Sequence, residues 1–198
     1  MGACARILLV LLCAAFAASA ATAQTTAYAP GDGSPNSLTL NVPVTASVRP
    51  PCGFTTAPNG SHNEPNFDDH SWQHDFTFVI DCSVASRLAV VSSNGGLKTA
   101  GTAPAGYTTL GPYDVTLNVV LDTGGPATGT CAAANLQTGG SCTFRGPAAP
   151  GQGLNVPVTH GQAGSYVRVS APVYTGSNVL VASTGYGDTL VVTLSPAT

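Results

Sequence analysis

The stretch Tyr113-Asp114-Val115-Thr116-Leu117-Asn118-Val119-Val120-Leu121 carries an apolar side chain at every odd position, with Asp, Thr and Asn at 114, 116 and 118. Successive side chains of a strand point to opposite faces, so this pattern makes a strand with one buried and one wet face. Gly124-Gly125-Pro126 ends it. The same period of two recurs on both sides. Phe76, Phe78, Ile80 and Cys82 share one face, with Asp75, Thr77 and Asp81 on the other. Residues 88–92 read as a shorter strand closed by the Asn94-Gly95-Gly96 turn. Towards the C-terminus, residues 154–158, 167–173, 179–182 and 189–194 read as further strands. Towards the N-terminus, Leu38, Leu40, Val42, Val44, Ala46 and Val48 alternate with polar Thr39, Asn41, Thr45 and Ser47, until Pro50-Pro51-Cys52-Gly53 ends the run. Residues 55–73 read as a polar, turn-rich connection, and no segment carries a helical period. Seven or eight short strands separated by turn signals predict an all-β fold, an Ig-like antiparallel β-sandwich in one domain.

Composition agrees and excludes other classes. The 198 residues include only six Lys and Arg and nine Asp and Glu, while Gly and Pro number 23 and 15. A helical bundle or coiled coil would need far more charged helix formers. Six basic residues cannot build a basic face, so nucleic acid is not an expected partner. With 43% hydrophobic residues, charge-driven disorder is not expected either.

The N-terminus has the pattern of an export leader. Arg6 precedes an apolar run over residues 7–17, and small residues follow. Cleavage after Ala20 or Ala23 fits, and a signal peptide over residues 1–23 is expected. The apolar run is short of the ~20 residues that span a membrane. Residues 24–36, QTTAYAPGDGSPN, read as a flexible lead-in. The domain proper is expected from 37 to 198.

Loss of the leader removes Cys4 and Cys13 and leaves Cys52, Cys82, Cys131 and Cys142. An even number in an exported chain reads as disulfides. Four cysteines allow three pairings. Cys131–Cys142 would close a local loop, and Cys52–Cys82 would then link neighbouring strands; this pairing is the expected one.

No nucleophile elbow, phosphate loop or H-E-x-x-H motif occurs, so no catalytic residue, cofactor or enzymatic activity is assigned. The notable polar cluster is HNEPNFDDHSWQHD at 62–75, which holds His62, His70 and His74 with Glu64, Asp68, Asp69 and Asp75. Imidazoles and carboxylates together can hold zinc or copper. An exported metal-binding β-sandwich using His62, His70, His74 and His160 is therefore the alternative to a solvated loop. Trp72 reads as a residue capping the core, and Tyr174 and Tyr186 as packing at the sandwich edge.

Two segments resemble a known family. One is the export leader followed by an alternating strand that runs into Cys52, with Cys82 ending the next long strand. The other is Gly185-Tyr186-Gly187-Asp188-Thr189-Leu190-Val191-Val192-Thr193-Leu194. It resembles the G-x-Y-x-D-T-L-x-V-T-L ending of the spore coat protein U domain, the subunit of archaic chaperone–usher pili. Here the glycine directly precedes Tyr186, and the His-rich loop and the Cys131/Cys142 loop depart from the family pattern. The resemblance implies an incomplete sandwich that lacks its last strand. Leu190, Val192 and Leu194 would line the groove left open, first filled by a periplasmic chaperone. An N-terminal strand of the next subunit would then replace the chaperone, with Leu38, Leu40, Val42 and Val44 of residues 37–44 as donor side chains. The implied partners are that chaperone, an outer-membrane usher and neighbouring subunits in a homo- or hetero-polymer. The implied location is a cell-surface fimbria supporting adhesion and biofilm formation.

Overall fold

The computed structural model describes residues 52–183 and 185–197. The expected leader, the lead-in and the alternating segment at 37–48 lie outside the described residues. The described residues form thirteen strands, in chain order. They are β1 (Cys52–Thr56), β2 (Trp72–Cys82), β3 (Ser86–Ser92), β4 (Leu97–Lys98), β5 (Tyr107–Thr108), β6 (Leu110–Gly111) and β7 (Asp114–Val119). The second half has β8 (Ala127–Ala132), β9 (Leu154–Val156), β10 (Thr159–His160), β11 (Ser165–Ala171), β12 (Val179–Leu180) and β13 (Leu190–Pro196). The fold is an antiparallel β-sandwich. One sheet runs β1-β2-β11-β7-β8, with β10 also on β2; the facing sheet runs β13-β3-β9. Two short two-stranded pairs, β4-β6 and β5-β12, decorate one end, the latter parallel.

The period of two places the core. Phe78, Ile80 and Cys82 of β2, Leu88 and Val90 of β3, and Val115, Leu117 and Val119 of β7 are all fully buried. Val167 and Val169 of β11 join them in a single cluster. On the outer face of the large sheet, Arg168 sits opposite Asp75 across the β2–β11 ladder. Its Nε and Nη2 donate to the two carboxylate oxygens at 2.6 and 2.8 Å. That fork holds the Asp75 carboxyl below its usual range. Both side chains are about a third exposed, so the pair contributes at most about 1 kcal/mol. A depressed carboxylate pKa stabilises the fold fully above the ordinary value of about 3.9 and ceases to do so as pH falls through the lower, folded-state value. Asp75→Asn is therefore expected to lower stability modestly at pH 7, and the gap from wild type should close as denaturation is repeated below about pH 4. A gap that stays constant down to pH 2 would contradict this origin.

Six strands lie where the sequence reads as connection: the two-residue β4, β5, β6 and β10, and the longer β1 and β8. β1 begins at Cys52, where the preceding run was expected to stop, and pairs with β2 through Cys52↔Cys82, Gly53↔Asp81 and Phe54↔Ile80. Phe54 meets the Phe78 ring edge-on, with centroids 6.0 Å apart. β8 forms a hairpin with β7, so Cys131 sits on a strand rather than in a loop. Its sequence, Ala-Thr-Gly-Thr-Cys-Ala, has no large apolar side chain. Phe144, from the following loop, fills that space and is fully buried. A Cβ on Gly129 would stand 3.1 Å from the Phe144 ring, so the glycine makes room for it.

Both disulfides join the expected partners, Cys52–Cys82 and Cys131–Cys142. The first crosses directly opposed residues of β1 and β2. The second ties β8 to the loop beyond the short 3-10 helix Ala133–Leu136, just before Phe144. Two disulfides fit a chain that folds in an oxidising compartment, periplasmic or extracellular. The double change Cys131→Ser and Cys142→Ser frees a span of 11 residues and is expected to cost about 2–3 kcal/mol. In thermal denaturation that corresponds to a fall of about 5–10 °C. An unchanged melting temperature would mean that Phe144 holds the loop without the bridge.

Candidate functional site

Strand β13 is an edge strand among the described residues: its backbone pairs with β3 from Leu190↔Ser92 to Pro196↔Ser86 and with no described strand on its other side. A cleft of about 650 Å³ opens beside it. Its apolar wall combines Leu190 and Val192 of β13 with Phe76 of β2 and Val167 and Val169 of β11. The 58–67 loop also lines it, with polar Asn59, Ser61, Asn63 and Glu64, as do Trp72 and Tyr113. Val191, on the opposite parity, is 50% exposed. The cleft thus lies between the two sheets where their inner faces are not in contact. Of the three residues expected to line a groove, the structure brings Leu190 and Val192 together and sets Leu194 apart. Leu194 packs against the core cluster and does not line the cleft. Like Leu190 and Val192 it is half-buried. The expected donor side chains Leu38, Leu40, Val42 and Val44 lie outside the described residues.

The start of β13 is fixed by Asp188. Ser92 and Tyr113 donate their hydroxyls to Oδ2 at 2.5 and 2.8 Å. The backbone N–H groups of Asn94 and Thr189 donate to Oδ1 at 2.9 and 2.7 Å. One carboxylate thereby ties β13 to the end of β3 and to the residue that opens β7. Burial, reinforced by the Asp188 charge, pushes the Tyr113 phenol far above its ordinary range, so it stays a donor. Tyr186 donates to the Val181 carbonyl at 2.9 Å and meets the Phe67 ring edge-on at 5.2 Å. Tyr186, Asp188 and Leu190 all line the cleft. The sequence reading quoted Asp188 within a motif without giving it a task. Its partners are distant in sequence, and no local signal joins them.

The polar cluster of residues 62–75 divides. Glu64 accepts one imidazole Nε2 on each oxygen, His62 and His70, both at 2.9 Å. The bonds from His70 and His62 keep its carboxyl below the usual carboxylate range. His74 belongs to β2 rather than to the loop; its ring stacks on His62 with centroids 4.1 Å apart and meets Phe76 edge-on at 4.8 Å. His160 instead pairs with Asp122, whose carboxyl it lowers to about 2 by donating from both backbone and ring, with Gln162 assisting. Among the described residues, no group of three or more His, Cys, Asp and Glu is placed to hold a metal ion. Trp72 packs against the core cluster and also lines the cleft. Tyr174 is half-buried and donates to the Asn178 carbonyl at 2.7 Å.

The fold and site define a disulfide-bonded antiparallel β-sandwich with a cleft of mixed apolar and polar lining along an edge strand. Comparison with protein-family models, curated proteins and solved structures finds no match.

Proposed function

We propose that this protein is a structural subunit of an archaic chaperone–usher surface pilus and that it polymerises by donor-strand exchange. The observation that carries the reading is the cleft beside β13. It is apolar on its inner wall, it borders an edge strand with unpaired backbone groups among the described residues, and five residues of the spore-coat-U-like ending line it, Tyr186, Asp188, Thr189, Leu190 and Val192. An exposed apolar edge is an aggregation hazard that proteins cover. An added strand covers it through main-chain pairing, with alternate side chains seated in the wall; donor-strand complementation of pilins is the established example of this mode.

The segment at 37–44 has the required parity, with Leu38, Leu40, Val42 and Val44 on one face. Four such side chains, buried at roughly 1.5–3 kcal/mol each, give about 6–12 kcal/mol before ordering costs. Pro43 lacks an N–H and marks where ladder pairing weakens. A head-to-tail contact of this kind is heterologous and builds open filaments when it does not close. A periplasmic chaperone would cover the cleft before assembly, and an outer-membrane usher would order the exchange. The fibre would lie at the cell surface and support adhesion and biofilm formation.

The test is expression with and without the cognate chaperone and usher, followed by electron microscopy of the cell surface. Fibres that need both are expected, together with a soluble subunit–chaperone complex when the usher is absent. A purified chain that remains a stable monomer without a chaperone would overturn the reading.

A further inference from the structure

Trp72 stands at one end of β2 and lines the cleft, yet its indole Nε1 is buried without a hydrogen-bond partner. Buried donors in folded proteins are almost always satisfied, and an orphan calls for a missing acceptor. The two aromatic neighbours, Tyr113 with its ring centroid 6.4 Å away and its hydroxyl donating to Asp188, and His62 at 6.2 Å with its Nε2 on Glu64, do not accept from the indole in this structure. A strand laid along β13 would pair through one of its edges only. The carbonyls of its other edge would enter the cleft with no ladder partner, and Trp72, with its unpartnered N–H, stands among the lining residues.

We propose that Trp72 is a specificity-determining residue of the cleft: its indole N–H donates to a main-chain carbonyl of the inserted strand. This rests on the strand-insertion reading and assigns one residue a role within it. An aliphatic or phenyl ring of similar bulk could fill the space but could not make the bond.

Trp72 is also the chain's single tryptophan, so a ¹H–¹⁵N spectrum holds one indole cross-peak. The ¹⁵N-labelled full-length Leu40→Asp chain, whose own donor segment is disabled, is taken as its complex with the unlabelled chaperone and titrated with a synthetic peptide of residues 37–48. The expected result is saturable binding, with a downfield shift and slowed hydrogen exchange of the indole proton. Trp72→Phe in the same background should bind the peptide about fivefold to tenfold more weakly. Leu190 and Val192 methyl signals report occupation independently of the indole. If those methyls shift on saturation while the indole peak does not, and Trp72→Phe binds equally well, the role of Trp72 is refuted and strand insertion stands. If neither methyls nor indole respond to peptide in excess, strand insertion fails and this inference with it.

Discussion

Leu40→Asp is expected to abolish fibres while leaving a recoverable chaperone-bound subunit. The reason is parity. In residues 37–44 the even positions are apolar, while Ser37, Thr39 and Asn41 are polar. Only one face of a strand can enter an apolar wall, and a shift of one residue exchanges the faces. A carboxylate at 40 would be driven against Leu190, Val192 and Phe76, where nothing apolar can solvate it. That cost far exceeds the loss of a leucine's contacts. Asn41→Asp places the same charge on the wet face and should assemble nearly as wild type. The measurement is fibre yield by electron microscopy beside recovery of the chaperone complex. Equal fibre yield from the two variants would make residues 37–44 a linker. Loss of the chaperone complex in Leu40→Asp would place the segment in the subunit's own core.

Asp188→Ala should have the largest effect on the folded subunit itself. It removes one carboxylate that accepts from Ser92, Tyr113, Asn94 and Thr189. The Tyr113 side chain is buried, so its hydroxyl loses a charged acceptor without access to bulk water. Bonds to charged groups contribute about 1.5–3 kcal/mol each, and these share one acceptor; a combined loss of about 3–5 kcal/mol is expected. Thermal denaturation should shift down by about 10 °C or more. Asp188→Asn retains one acceptor oxygen and should recover part of the loss. Since Asp188 fixes the start of β13, peptide binding at the cleft should weaken in both variants. A wild-type melting temperature for Asp188→Ala would show that the β3–β13 ladder alone sets the register.

The sandwich was legible where one strand face had to be filled by its own side chains. β2, β7 and β11 alternate because each contributes its own row to the core. β8 was illegible for the opposite reason. The space at its Gly129 is filled by Phe144 from a loop, so its own sequence carries no period. β1 was hidden by Gly53 and by its brevity, and it is secured by cross-strand pairing and a disulfide rather than by pattern. The disulfides could be read because the expected leader leaves four cysteines, which allow three pairings. The cleft could be read only in part. Leu190 and Val192 follow from parity, while Leu194, of the same parity, lies outside the cleft lining. The convergence of Asp188 with Tyr113, 75 residues earlier, and Ser92, 96 residues earlier, is long-range. Trp72 reads correctly as a core cap, yet its unpartnered N–H is visible only once its neighbours are placed.

The most direct test of strand exchange is cross-linking by parity between copies. Chains carrying Val192→Cys are co-assembled with chains carrying a single cysteine at 38, 40 or 42, or at 39 or 41, and oxidised. Strand insertion predicts covalent dimers between different chains for at least one even position, and none for the odd ones, because only the even side chains face β13 and the cleft wall. Cross-links formed equally from odd and even positions, or only within one chain, would contradict it.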